Sequence, residues 1–347
     1  MLNDLLCRGL RARLKDAVTA TRWFQYHSPS SSLYFADPLG DLIGGWLDVR
    51  RRPIRRLSRT VFVSGDAAVV IRYACKRDLA FLERRKFSRV YLLVDDDFFA
   101  LHENDGLPAD YRERLVDYRD GLFQRLLKSV THVVAPSERI LSCYSKKQAL
   151  LLDPAQCHPD GGLGHHRKTK GLDIVFAATR SHLYDLDLIA DPVAEFLKAR
   201  PDARLTTFLN GHAPKVLKRL PNTIHLPMLG WGRYRTFVAE NRFHVAIAPA
   251  LETDFNRARS LSRLHDHAAF GAAGIYSHQA PFSNIVNHGA SGLLLPNEPS
   301  KWKDALFQLA DQRSQAEGIA AEGQVLSRRV GDRRRVRQFW LKELQLN

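Results

Sequence analysis

The chain has 347 residues, of which 45% are apolar and 10% aromatic, so it can pack two ordinary domains and is not a disordered chain. Its formal charge of +15 favours anionic partners such as nucleotide phosphates, lipid headgroups or nucleic acid, and equally fits a plain basic surface. No apolar run reaches the roughly 18 residues of a membrane span, and Cys7, Cys75, Cys143 and Cys157 are scattered without zinc-ligand spacing, which favours free thiols in a reducing cytoplasm.

Residues 1–20 predict an amphipathic helix with basic residues between its leucines, read as packing on the body rather than docking on a membrane. Residues 21–48 are aromatic and turn-rich without a period. The arginines from Arg50 to Arg59 read as a solvated basic face, with phosphate or headgroup contact as the other reading. Strands are predicted at Thr60–Ser64, Ala68–Arg72 and Arg89–Val94. The last ends in Asp95, Asp96 and Asp97. Three carboxylates at a strand end suit a divalent cation or loop capping, and capping is preferred. A helix is predicted over Tyr111–Leu127. The strand at Thr131–Pro136 is followed by Ser137, a good N-cap.

Residues 156–171 break every period. Gly161, Gly162 and Gly164 predict a solvated linker, in which His158, His165 and His166 have no element to fix them as metal ligands. Leu172–Ala178 opens a second set of strands, with later ones at Ala203–Leu209, Asn222–Leu226, Phe243–Pro249, Gly274–Ser277 and before Leu295. Between two of these lies Asp254 to Ser277, DFNRARSLSRLHDHAAFGAAGIYS. It reads as loop, helix closed by Gly271, and strand. Asn256, Arg257, Arg259, Ser260 and Arg263 sit at a strand's carboxyl end and a helix's amino end, where open α/β sheets bind anions. Arg259 and Arg263, four apart, are expected on one helix face. A helix is expected after Pro281, and the tail from Ala316 to Leu346 reads as a basic helix.

The phrase F-N-R-A-R-S-L-S-R-L-H-D-H-A-A-F-G resembles the C-terminal half of group-1, family 4-like glycosyltransferases of GT-B fold. T-R-S-H-L-Y-D-L from Thr179, W-G-R-Y from Trp231 and H-G-A-S-G-L-L-L from His288 match further phrases of that family. The resemblance implies two Rossmann-like α/β domains facing across a cleft, with a C-terminal helix returning to the N-domain. Residues 1–155 would form the acceptor-side domain and 156–171 the linker. Residues 172–325 would hold the nucleotide sugar, and 326–347 would be the basic C-terminal helix.

The implied activity is a retaining, hexosyltransferase-like glycosyl transfer in polysaccharide biosynthesis. The donor is a nucleotide sugar, the acceptor a saccharide or lipid-linked molecule, and no metal or other cofactor is used. Arg259 and Arg263 would neutralise the donor diphosphate, and Asp266 would accept from ribose hydroxyls. Ser260, Asn256, Arg180 and His182 would line the same site. The implied place is the cytoplasm, with peripheral contact at the anionic inner face of the membrane, and no nucleic acid. Ala258 stands where the broader family has an acid, Ala178 where it has glycine and Ala273 where it has proline; Glu252 and Asp254 are positional substitutes for the lost carboxylate. The alternative reading is a sugar-nucleotide-binding subunit that has lost catalysis.

Overall fold

The computed structural model describes residues 28–44, 52–101, 106–168 and 171–346; the expected N-terminal helix and Arg50 and Arg51 lie outside them. Two sheets organise the described chain. The first contains β1 (Ile43–Gly44), β2 (Ile54–Arg56), β3 (Val61–Ser64), β4 (Ala67–Ile71), β5 (Arg89–Leu93), β6 (His132–Ala135) and β7 (Gln148–Leu151), in that order across the sheet. From β4 to β7 the pairing is parallel, and β3 runs antiparallel to both of its neighbours.

The second sheet contains β8 (Asp173–Phe176), β9 (Arg204–Thr207), β10 (Thr223–His225), β11 (Val245–Ala248), β12 (Ala273–Ser277) and β13 (Leu293–Leu295). Its spatial order is β10-β9-β8-β11-β12-β13, all parallel. This is the doubly wound order with a switch point between β8 and β11. Connections leave those two strands in opposite directions there, so a crevice opens beyond their carboxyl ends. The strands β8, β11 and β12 at its centre read as largely apolar runs because helices cover both faces. Ile174, Val175, Val245, Ala246, Ile247, Ala273 and Ile275 are all buried.

Helical connections follow the pattern read from sequence, with informative exceptions. The stretch from Ala109 to Ser129 is helical throughout but widens to a π-turn at Arg119–Phe123. After Pro281 only one 3-10 turn forms, Phe282–Asn284. The tail divides into two helices, Arg313–Val330 and Arg333–Glu343, broken at Gly331 and Asp332. The first packs on the site helix Ser262–Phe270 and on β12. The second returns to the first sheet, where Trp340 is fully buried against Phe35 and Tyr91 and donates its indole N–H to the Tyr34 carbonyl at 2.6 Å.

Two other expectations are corrected. The arginine run is not wholly a solvated face. Ile54–Arg56 pairs with β3, and Arg56 is buried, donating from Nε to the Ser58 carbonyl at 3.0 Å. Burial, aided by Arg59, lowers the Arg56 guanidinium to about 10. Nor is 156–168 a solvated linker. His158 and His166 are buried, a short helix forms at His165–Lys168, and a Cβ on Gly161 would sit 2.3 Å from the Ala269 carbonyl oxygen. The glycine is needed because this segment lies against the end of the site helix, which donors from Gly161 N and the Gln324 amide secure at the Ala268 carbonyl (3.0 and 3.1 Å).

Candidate functional site

The site forms at the switch point. The loop after β11 makes a short helical turn, Asp254–Arg257, capped by the Thr253 hydroxyl, which accepts from the Asn256 N–H at 3.2 Å. The site helix then starts only at Ser262 and ends at Gly271, which takes the left-handed conformation at φ 65°. Arg259 therefore lies before the helix, and the expected single face with Arg263 is not how the two arginines meet. They converge instead from a loop and a first helical turn.

Arg259 places Nη1 3.5 Å from Asp96 Oδ1 and its guanidinium 4.6 Å from the centre of the Phe255 ring. Its Nε and Nη2 are buried without a hydrogen-bond partner, as is Arg263 Nη2. Burial, with the like charge of Arg259, lowers Arg263 to about 10, so it remains a cation near neutrality. Unpartnered buried N–H donors on cations are costly, and an anion's oxygens would satisfy them.

Behind the arginines stands a rigid support. His182 sits in the loop after β8, and its Nδ1–H donates to Asp185 Oδ2 at 2.7 Å, since the carboxylate can only accept. Asp185 Oδ1 also accepts from the Leu251 N–H and the Asn256 amide, both at 2.8 Å. Burial opposes ionisation of Asp185, but these donors and Arg263 hold its carboxyl below the usual range. Burial and then Arg263 and Arg259 push His182 down to about 3, so it is neutral and its Nε2 carries a lone pair.

Asp266, one turn along the helix from Arg263, accepts from the Tyr234 hydroxyl at 2.8 Å. Burial raises its carboxyl to about 7, against the pull of Tyr234 and Arg263. Arg263 and Asp266 do not form the direct pair that their spacing permits. Tyr234 lies on the helix Trp231–Glu240, stacked on Trp231 at 5.8 Å between ring centres.

The first sheet supplies the opposite wall. Arg72 leaves β4 at φ 61°, donates to Asp96 and forms an ion pair with Asp95 at 3.2 Å. Ser30 donates to Asp95 at 2.7 Å. Asp97 faces elsewhere, accepting from the Phe99 and Ala100 N–H groups at 2.9 and 3.1 Å, which is the expected capping role.

The other sequence-predicted residues divide clearly. Ser260 lies beside Tyr34, close to the arginines. Asn256 is not directed at open space: it bonds Asp185 and the Leu251 carbonyl, and so braces the loop. Arg180 is a rim residue, held by a two-pronged pair to Asp110 at 2.8 Å across the cleft. Ser181 does not cap the next helix; its hydroxyl meets Thr179 at 3.0 Å. Glu252 and Asp254, the positional substitutes for the family's acid, lie at the surface, turned to Arg257 and Arg139. Ala258 itself is 0% exposed, packed with Phe255 into the first sheet's core.

Sequence reasoning missed Arg72, Asp185 and Tyr234. Asp185 had a usable signal, because His182 and Asp185 are three apart at a helix start and so can meet. Arg72 had none: only the fold brings the end of β4 to the second sheet's loop.

No family model matches the sequence, and no curated protein does. Solved structures are similar in shape. HepE of Anabaena, in complex with UDP-glucose, superposes with a TM-score of 0.55 at 12% identity, over 80% of this chain and 78% of that one. TarM gives 0.54 at 11% identity over 75% of this chain, and the pneumococcal O-GlcNAc transferase GtfA, in complex with UDP and GlcNAc, gives 0.52 at 11% over 83%. The chain spans 51% of TarM and 62% of GtfA, less than two thirds of either. At such identity the likeness is one of fold: two Rossmann-like α/β halves of GT-B type.

Proposed function

We propose that this chain transfers a sugar from a nucleoside-diphosphate donor to a saccharide or lipid-linked acceptor, with retention at the anomeric carbon. The observation that carries this is the convergence of Arg259 and Arg263 at the switch point with buried N–H donors unpartnered. In this reading the bond from the anomeric carbon to the diphosphate breaks, an acceptor oxygen bonds to that carbon, and the acceptor's proton leaves. Negative charge grows on the diphosphate, where two fixed guanidiniums stabilise it without a metal.

Asp185 holds His182 and the 251–256 loop so that no donor group must reorganise during reaction. The lone pair of His182 Nε2 suits a sugar hydroxyl, and Asp266, once ionised, suits a ribose hydroxyl. UDP-sugars are the first donors to try, because the similar HepE and GtfA structures hold UDP-glucose and UDP with GlcNAc. Action in polysaccharide biosynthesis at the inner face of the membrane fits a basic chain in which no described helix is long and apolar enough to cross.

A second reading, a nucleotide-sugar binder without transfer, is favoured by one observation. The position of the family's acid is Ala258, buried in the wrong core to reach a sugar. A thermal-shift screen against UDP-, GDP-, ADP- and CMP-sugars, followed by a transfer assay, separates the readings. A nucleoside-diphosphate sugar should raise the melting midpoint, while a single-phosphate CMP-sugar should not. Product with the donor's anomeric configuration supports transfer. A shift without turnover supports the binder, and no shift with any donor refutes both.

A further inference from the structure

We propose that Asp96 is an internal latch on this site: its carboxylate occupies Arg259 where a donor diphosphate would sit and holds the site loop shut, so that donor binding must displace it. The inference rests on the diphosphate reading of Arg259 and adds how the site is regulated.

Asp96 belongs to the first sheet and Arg259 to the second, so their contact spans the cleft. Asp96 is only 4% exposed and is fixed from behind by Arg72. Arg72 is fixed in turn by Asp95, and Asp95 by Ser30. The backing is stiff, so Asp96 cannot follow Arg259 if the loop withdraws.

The loop is socketed at the same place. Phe255 and Ala258 lie in the first sheet's core, and the Ser137 hydroxyl donates to the Ala258 carbonyl at 3.2 Å. Arg259 rests on the Phe255 ring, so moving the ring out of its socket moves the guanidinium too.

The contact is made to be exchanged. At 3.5 Å, Asp96 engages one nitrogen of Arg259 and leaves Nε and Nη2 unpartnered. A two-pronged arginine–carboxylate pair satisfies two donors at once, and this one does not. A diphosphate offers more charge and more oxygens, enough to reach both Arg259 and Arg263. It would also bring negative charge against Asp96, which must then part from the loop. Of the other ion pairs between the two halves, Arg139–Asp254 and Arg180–Asp110 are exposed and add little hold, and Arg235–Asp37, at 2.9 Å, ties the helix Trp231–Glu240 rather than the site loop.

The test uses the full chain with Asp96→Asn and, as a second neutral side chain in case the first misfolds, Asp96→Ser. Arg139→Ala, which breaks a rim pair only, is the control. Amide hydrogen exchange of residues 254–258 is measured without ligand, and UDP affinity by titration calorimetry. The latch predicts exchange at least about tenfold faster in the Asp96 variants and UDP bound roughly tenfold tighter, since the binding-competent fraction rises; Arg139→Ala should change neither.

Unchanged exchange, or weaker UDP binding in the Asp96 variants, overturns the latch and makes Asp96 a group that positions Arg259. An equal gain in Arg139→Ala also overturns it, because general loosening would then suffice. Should no chain bind UDP or any other nucleoside diphosphate while exchange still rises, the latch stands and the proposed function fails.

Discussion

The two walls of the cleft are built on opposite plans. The wall on the first sheet, at the ends of β4 and β5, is a set of opposite charges: Arg72 pairs with Asp95 and Asp96 and Ser30 donates to Asp95, although Arg72 Nε and Asp95 Oδ1 make no aligned hydrogen bond. The wall on the second sheet, at the ends of β8 and β11, is braced but incomplete. Asp185 is held by three donors, while the cations in front of it keep unused N–H groups. A wall in which each charge faces its opposite supplies counter-charge; a wall in which two cations lie together is one anion short and supplies a binding site.

The charges differ as well. Burial and the neighbouring Asp96 raise the Asp95 carboxyl, although Arg72 opposes them. Asp96 ends below the ordinary range despite its burial, because Arg72 and Arg259 flank it. The acidic wall therefore tunes one carboxylate to stay charged, and that one faces Arg259.

The largest effect should come from removing the brace. Asp185→Ala would leave the Leu251 N–H, the Asn256 amide and His182 without their acceptor. Breaking such a buried set should cost about 3–5 kcal/mol in denaturant unfolding. Ser30→Ala on the other wall removes one hydrogen bond to Asp95 and should cost about 0.5–1.5 kcal/mol. Equal costs would mean that neither wall is the braced one.

Next in size is ligand affinity. Arg259→Ala or Arg263→Ala should weaken nucleoside-diphosphate binding by roughly 1.5–3 kcal/mol per charge-assisted contact, with the smaller loss of fold stability in Arg263→Ala, since Arg259 also pairs with Asp96.

Asp266 gives a pH signature. Its folded-state carboxyl, near 7, lies above the ordinary value of 3.8, so the folded chain keeps a proton that the unfolded chain releases. Stability from this group is therefore greatest below pH 4 and falls as pH rises from about 4 to 7. Asp266→Asn should flatten that part of a melting-temperature profile and raise the midpoint at pH 8 relative to the parent. An unaltered slope would assign the pH dependence to other groups.

The smallest effect is expected at the rim. Arg180→Ala removes an exposed pair with Asp110 and should change stability by at most about 1 kcal/mol. Nucleotide affinity should move little, because Arg180 is committed to that pair; a loss like that of Arg263→Ala would return it to the site.

The sequence revealed the second wall better than the first. The strand β11 is an unbroken apolar run, and the Asn256–Asp266 phrase places cations beside its end, where the fold needs no long-range information. The return of the last helix was an expectation of the resemblance alone; its apolar positions Val336 and Trp340 are buried on the first sheet. What escaped depended on contacts between distant segments. Arg72 meets Asp96 from 24 residues away, and Ser137 meets Ala258 from 121 away. Histidines in 156–168 looked solvated because their cover, the end of the site helix and β11, is far along the chain. Arg259 was misplaced on a helix because the short turn at Asp254–Arg257 resets the period before Ser262.

The most direct test is calorimetric titration of UDP against uridine in the parent chain and in Arg263→Ala. The account predicts that the parent binds UDP at least about tenfold more tightly than uridine, and that Arg263→Ala loses most of this difference while binding uridine as before. Equal affinity for UDP and uridine in the parent, or an undiminished preference in Arg263→Ala, would contradict the assignment of the arginine pair to a diphosphate.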